Sequence, residues 1–473
     1  MIAGRVAGSI ARCLHRTAIT AAVFALAGWT VPGWNVALAA DWARFRGPNG
    51  TGIAADDQAT PVEWSPDQGV KWKAELPGPG VSSPIVVGDR VFVTCYSGYG
   101  LDRENPGEIR DLKRHLVCVD VASGNVLWDK TVDVVLPEDP YSGIGVPAHG
   151  YASHTPASDG ERVYAFFGKS GVVAFDMDGN QLWQTNVGSE SDSNAWGSSS
   201  SPIVYGNLVI VTAAAESRAL VGLDGATGKE VWKQEAESLD NMWGTPALVE
   251  LQDGRTDLVL LIPFEMWGLN PDNGKLRWYA EATGAQQANA SVVVDDDSDV
   301  LYAVTSRNGG SVALKAGGKG DVTATQTVWS ETDTGSFPSP VLYEGRLYSI
   351  ANGTISVIDA ESGTRLSQTR LAGGTSPPGG EGRGGGGGRG GRGGGRGGFG
   401  GRMDYPSPVI ADGKLYYLKG DGEMHVFRPG DEPESLAVNK VTEDSESFGG
   451  TPAISNGRIF LRSDKHLYCV AKE

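Results

Sequence analysis

Self-similarity at a fixed period constrains this chain more than any other feature. The repeating unit opens on Ser or Thr followed by Pro. It runs through a short apolar stretch, a Gly turn and two further β-branched runs, and it ends on Asp-x-x-x-Gly-x-x-x-Trp. Its first half reads SSPIVVGDRVFVT from Ser82, HTPASDGERVYAF from His154 and SSPIVYGNLVIVT from Ser200. It returns as PSPVLYEGRLYSI from Pro338, PSPVIADGKLYYL from Pro406 and GTPAISNGRIFLR from Gly450. Looser versions begin at Gly244 and Ala290, which makes eight units. The second half closes on Trp128, Trp183, Trp232 and Trp278. Trp329 closes the fifth unit after a longer excursion, and the sixth ends in DAESGTRLS with no Trp.

Pro156 and Pro202 are 46 residues apart, and Pro202–Pro246 and Pro408–Pro452 are each 44 apart. Each run is five or six residues of Val, Ile, Leu, Tyr and Phe bounded by Gly, Asp and Asn, which is a strand signature. The turn at 87–90 and its counterparts supply the Gly or Asn that a tight hairpin needs at positive φ. Helix signals are almost absent. Four short strands repeated at this period predict an all-β fold, an eight-bladed β-propeller of four-stranded antiparallel blades. The recurrent Trp is expected to wedge between neighbouring sheets, burying about 150–250 Å².

The eighth unit stops at LYCVAKE, after its third strand, and the missing strand has a copy elsewhere. PDQGVKWKAEL, residues 66–76, repeats the Gly-x-x-Trp pattern with Trp72 in the blade position. The N-terminal strand is therefore expected to complete the last blade, close the ring and cover an open sheet edge.

Ahead of Ala40 stand Arg5, Arg12 and Arg16 with no acidic residue, an apolar stretch over about 18–29, and Ala37-Leu38-Ala39. This is the pattern of a secretory signal peptide, residues 1–39, cleaved at its small-x-small site. Gly28, Thr30, Pro32, Gly33 and Asn35 interrupt the stretch before the ~20 apolar residues that a membrane span needs. Cys13 lies upstream of it and cannot become a lipidated first residue. The expectation is an exported, soluble protein, periplasmic or secreted, with an N-terminal extension over 40–65 and the propeller over 66–473. Loss of the three arginines takes the formal charge from -17 to -20. Such a field disfavours nucleic acid and anionic lipid as partners. Cys95, Cys118 and Cys469 sit in apolar runs and read as buried hydrophobes with at most one bridge.

With its units laid out, the chain resembles the pyrroloquinoline-quinone-like propeller family, and Gly-x-x-x-Trp is the motif that carries the resemblance. It spans nearly all of the chain after the signal. One branch of that family, the quinoprotein alcohol and sugar dehydrogenases, binds the quinone (PQQ) and calcium in the central funnel. Another is non-enzymatic and includes the lipoprotein that helps assemble outer-membrane barrels. The opening DWARFRGPNGTG, residues 41–52, also resembles exported bacterial propellers of no settled activity. The dehydrogenases carry two adjacent cysteines against the cofactor, and no two cysteines are adjacent here. The lipoprotein's acylated cysteine is missing as well.

In this fold, the segments ahead of each first strand reach one mouth of the channel. They hold Tyr151, His154, Asn194, Trp196, Asn241, Trp243, Gln286, Gln287, Asn289, Phe337, Tyr405 and Phe448. This ring of amides and aromatics suits a planar polar ligand or a peptide. Equally, the amides would cap loop backbones and the aromatics fill the funnel floor. His149 and His154 have no nearby Asp, Glu or Cys to complete a ligand set, so no metal is expected there. DDDSD at 295–299 falls where a hairpin turn is due and lacks the Gly-containing loop of a calcium site. No catalytic motif stands out.

Residues 379–402, GGEGRGGGGGRGGRGGGRGGFGGR, hold 17 glycines and five arginines. They cannot bury a core and are expected to form a disordered loop between blades 6 and 7. Removing these 24 residues from the 68 between Pro340 and Pro408 restores the 44-residue period. Residues 96–114 and 133–152 are further insertions with the charge of surface loops. The functional expectation is a monomeric, non-catalytic scaffold, without cofactor, that takes protein partners or a small polar ligand or glycan in the funnel. The alternatives are a PQQ- and calcium-dependent dehydrogenase and a carbohydrate- or peptide-binding propeller.

Overall fold

A computed structural model describes residues 41–54, 58–143, 145–305, 309–332, 336–371 and 405–472. They belong to one of the two units into which the chain divides, Ala37–Glu473. The signal region and the Gly/Arg-rich segment 379–402 lie outside the described residues.

Eight sheets form a ring, as the repeats predict. In chain order the blades span 85–133, 157–185, 203–235, 247–281, 293–331, 341–370 and 409–439, and the eighth takes 453–471 together with 70–75. Every blade is an antiparallel meander whose first strand is its innermost. Hairpin chemistry is as the sequence requires: Glu344-Gly345, Asp412-Gly413 and Asn456-Gly457 all hold two successive positive φ values, from 48° to 73°. That is the mirror-image turn whose twist matches the strands it joins. The fourth blade carries an addition, since the long excursion of the fifth lays Gly320–Asp321 parallel to its outer strand.

The N-terminal strand closes the ring. Val70–Glu75 pairs antiparallel with His466–Ala471, setting Trp72 opposite Cys469 and Ala74 opposite Leu467. Trp72 and Ala74 are buried, whereas the residues flanking them are exposed.

The recurrent Gly and Trp belong together across blades rather than within one. Gly124, Gly179, Gly228, Gly274 and Gly363 all sit at positive φ, and a Cβ on each would fall 2.4–2.8 Å from the Trp of the preceding blade. Those partners are Trp72, Trp128, Trp183, Trp232 and Trp329. Each of these tryptophans also donates its indole N–H to a carbonyl in the same turn of the next blade, at 2.9–3.0 Å. The glycine provides the flat landing for the ring, and the carbonyl satisfies the one polar atom that burial would strand. Trp278 departs from the pattern. The fifth blade has its excursion where the accepting turn should be, and the Trp278 indole instead donates to Asp257 Oδ2 at 2.7 Å.

Candidate functional site

The Ser or Thr that precedes the first strand of each blade builds a collar around the channel. The Ser83 N–H donates to the Thr155 hydroxyl, Thr155 to Ser201, Ser201 to Thr245 and Thr245 to Ser291. Ser291 continues to Ser339, Ser339 to Ser407, Ser407 to Thr451, and Thr451 back to Ser83. All eight bonds measure 2.9–3.1 Å. Seven of the eight residues are followed by Pro, whose lack of an N–H suits a chain turning from the channel into a strand. These residues stand in the repeat itself, where only their chemistry, and not their function, distinguishes them.

Residues 41–54 close one end of that channel. Trp42 bridges to Val86 in the first blade, Ser158 of the second donates its N–H to Ala43 O, and Ile53 bridges to Ile410 in the seventh. Asn49 clasps both backbone groups of Leu248 in the fourth. Arg44 donates to Pro246 O at 2.8 Å, and Arg46 donates to Pro340 O. The segment thus lies across the ring as a stopper, touching blades far apart in the circle. Phe45, between the two arginines, faces the channel interior.

What remains above the stopper is a blind cup of about 200 Å³. All eight collar residues line it, with Phe45 at its base and Trp196, Trp243, Asn289, Phe337, Tyr405 and His149 toward the mouth. The aromatics come in pairs. Trp196 and Trp243 lie 5.7 Å apart at 32°, and Phe337 meets Tyr405 edge-on at 5.3 Å. The Trp243 indole is fixed by Gly197 O at 2.9 Å, and Asp192 holds the turn carrying Trp196 through the N–H groups of Asn194, Trp196 and Gly197. His149 Nδ1 lies 2.8 Å from Ser153 Oγ, and burial lowers its pKa below the ordinary 6.5, so the ring is neutral at pH 7. The lining contains no carboxylate.

The other mouth candidates have other places. Asn194 and Asn241 bond to one another at 2.8 Å near the surface, and Gln286 and Gln287 do not reach the cup. Tyr151 is buried in a cluster with Tyr96, Tyr99 and Tyr141, its hydroxyl donating to Asp139 O. The insertions at 96–114 and 133–152 supply most of that cluster, drawing Tyr151 away from the channel. Phe448 packs under Tyr468 and over Gly422 in the wall between the last two blades.

His154 also lies in the wall, its ring 4.4 Å from that of Phe166 and tilted 50° to it. Its Nε2 stands 3.0 Å from Ser198 Oγ, which donates to Glu216 Oε1 at 2.7 Å. Burial is the main cause of two opposite displacements: it pulls His154 down to about 3 and pushes Glu216 up to about 7. Beside them Arg114 pairs with Glu138, and Lys169 pairs with Asp139 at 3.1 Å. Sequence reasoning missed Glu216, which sits in an Ala-rich turn with no motif around it.

A family model described as outer membrane protein assembly factor BamB matches residues 27–196 and 112–369. No curated protein matches the sequence. The crystal structure of BamB from Moraxella catarrhalis is similar over 85% of this chain and 97% of its own, with 12% identity and a TM-score of 0.56. The computationally designed Ika8 protein is similar over 84% of this chain and 99% of its own, with 10% identity and a TM-score of 0.50. A europium-containing methanol dehydrogenase aligns over 89% of each chain at 11% identity, with a TM-score of 0.43. At such identities the likeness is one of fold.

Proposed function

The chain belongs to the propeller family described as outer membrane protein assembly factor BamB, and from that premise we propose that it is an exported, non-catalytic binding scaffold. A protein partner or a small polar ligand engages the channel mouth. The observation that carries this reading is the blind cup: a channel stoppered by the chain's own N-terminal segment and rimmed by two aromatic pairs. Rigid aromatic side chains around a concavity give large contact area at little entropic cost, which suits recognition. Export rests on the signal pattern of residues 1–39 and on the family.

The quinone and calcium of the dehydrogenase branch do not fit the residues present. Calcium takes six to eight oxygen ligands, commonly carboxylates, and the cup is lined by none. Among the described residues, no group of three or more His, Cys, Asp and Glu is placed to hold a metal ion. Cys95, Cys118 and Cys469 are each free and buried, and burial raises their thiols to about 11 or 12. None is in a position to pack on a cofactor as a vicinal pair would.

Calorimetric titration of the purified protein with pyrroloquinoline quinone, with and without calcium, tests the reading together with a dye-linked alcohol and sugar oxidation assay. No saturable binding and no turnover are expected. Calcium-dependent binding with turnover would overturn the scaffold reading.

A further inference from the structure

The collar leaves its own donors unused. A hydroxyl offers one proton and two acceptor positions. Each collar hydroxyl accepts an N–H, yet among the described residues none of the eight protons meets an acceptor. All eight face one cavity. A second, independent feature lies in the stopper. The carbonyls that Arg44 and Arg46 reach, Pro246 O and Pro340 O, belong to the residues that follow collar members Thr245 and Ser339. Arg46 is 0% exposed, and its Nε and Nη1 have no hydrogen-bond partner among the described residues, nor does Arg44 Nε.

Neither guanidinium has a carboxylate within ion-pair distance among the described residues. Burial lowers Arg44 to about 10 and Arg46 to about 9, so both remain charged at neutral pH. A buried cation with unpaired donors is costly unless a counter-charge comes to it. Arg46 is such a cation, anchored to the carbonyl that follows collar residue Ser339, and the half-buried Arg44 is anchored to the one that follows Thr245.

We propose that the collar is an oxyanion site, taking a carboxylate carried on an apolar stem, with its oxygens on the collar hydroxyls and its stem between the Trp196–Trp243 and Phe337–Tyr405 pairs. The hydroxyls supply short-range donors, and the two guanidinium groups supply the positive potential that favours an anion at the channel floor. The apolar upper wall sets the body of the ligand, and the collar sets its charge. This inference rests on the reading of the cup as a binding site and names the chemistry of what binds there.

The test uses two acid and amide pairs on the unaltered protein. Phenylacetate and phenylacetamide stand for a free small acid, and N-acetyl-Ala-Phe and its C-terminal amide stand for a peptide end. Calorimetric titration should give each binding acid roughly tenfold or greater preference over its amide, as one hydrogen bond to a charged group would supply. Which acid binds more tightly identifies the source of the carboxylate. Equal affinities within both pairs, or no binding of either acid at millimolar concentration, overturns the proposal. Arg46→Met should lower the ratio of acid to amide affinity measured on the same folded variant, and an unchanged ratio would also count against it. Failure of the wider scaffold reading shows separately, as calcium-dependent quinone turnover.

Discussion

The backbone N–H of Thr451 donates to the hydroxyl of Ser83 across 2.9 Å, joining residues 368 positions apart and completing a circuit that visits every blade once. Each link ties the entry of one blade to the next, so the circuit is a closure device independent of the strand exchange in the last blade. Ser83→Ala removes the acceptor and strands the buried Thr451 N–H, which should cost about 1–3 kcal/mol. Ser83→Thr keeps an acceptor at the same place and should cost less. Chemical denaturation midpoints check both, and equal losses for the two variants would show that the hydroxyl is not what matters at this position.

Strand exchange provides the second closure. Trp72 comes from the N-terminal side of the ring, lies on Gly124 of the first blade and donates to Val121 O, so it joins the eighth blade to the first. Trp72→Ala should destabilise the protein by about 3–5 kcal/mol, as for a buried Trp left as a cavity. Deleting 66–76 should lower both melting temperature and solubility by baring the edge of His466–Ala471. A deletion variant with unchanged melting would mean that the collar alone holds the ring.

The Gly and Trp were legible as a repeat because the contact between them recurs at five of the blade boundaries. Its direction was not legible, because a Gly four residues before a Trp in sequence lands on a different Trp in space. The same limit applied at the mouth. Trp243, Phe337 and Tyr405 stand two residues ahead of a collar position and reach the cup, and the period alone places them there. His154 stands one residue ahead of Thr155 and is turned into the wall, since adjacent residues face opposite ways in extended chain. The stopper could not be read at all. Arg44, Arg46 and Asn49 act on backbone groups about 200 to 300 residues away, and a carbonyl leaves no trace in the sequence.

Two glycines of the third blade separate the two reasons for having glycine. Gly206 and Gly228 both lie at positive φ, 54° and 69°. A Cβ on Gly206 meets nothing within 4 Å, while one on Gly228 would fall 2.5 Å from the Trp183 ring. Gly206→Ala should therefore cost only the backbone penalty, about 1–2 kcal/mol. Gly228→Ala should add about 1–3 kcal/mol of overpacking, and its Trp183 fluorescence should shift as the ring is pushed outward. Equal destabilisation without a spectral change would rule out the inter-blade seat for the ring.

His154 and Glu216 share Ser198 and bias stability in opposite directions with pH. Burial raises Glu216 from 4.5 to about 7, so between those values the folded state binds more protons than the unfolded. Its contribution is fully present below pH 4.5 and is lost as pH rises through about 7. Burial, with Arg114 next in effect, lowers His154 from 6.5 to about 3, so the folded state binds fewer protons in that window. That contribution is present above pH 6.5 and is lost as pH falls toward 3. Between about 4.5 and 6.5 the two slopes offset one another, and the pair buffers the fold against pH. Glu216→Gln removes one slope and leaves the other. Relative to wild type, the variant should gain stability as pH rises from about 4.5 to about 7, on the order of 3 kcal/mol across the window. Urea denaturation of both proteins at half-unit pH steps measures the difference. A difference that stays flat with pH would mean that Glu216 is ionised throughout, and a second cation would then have to be close enough to its carboxylate to hold it so.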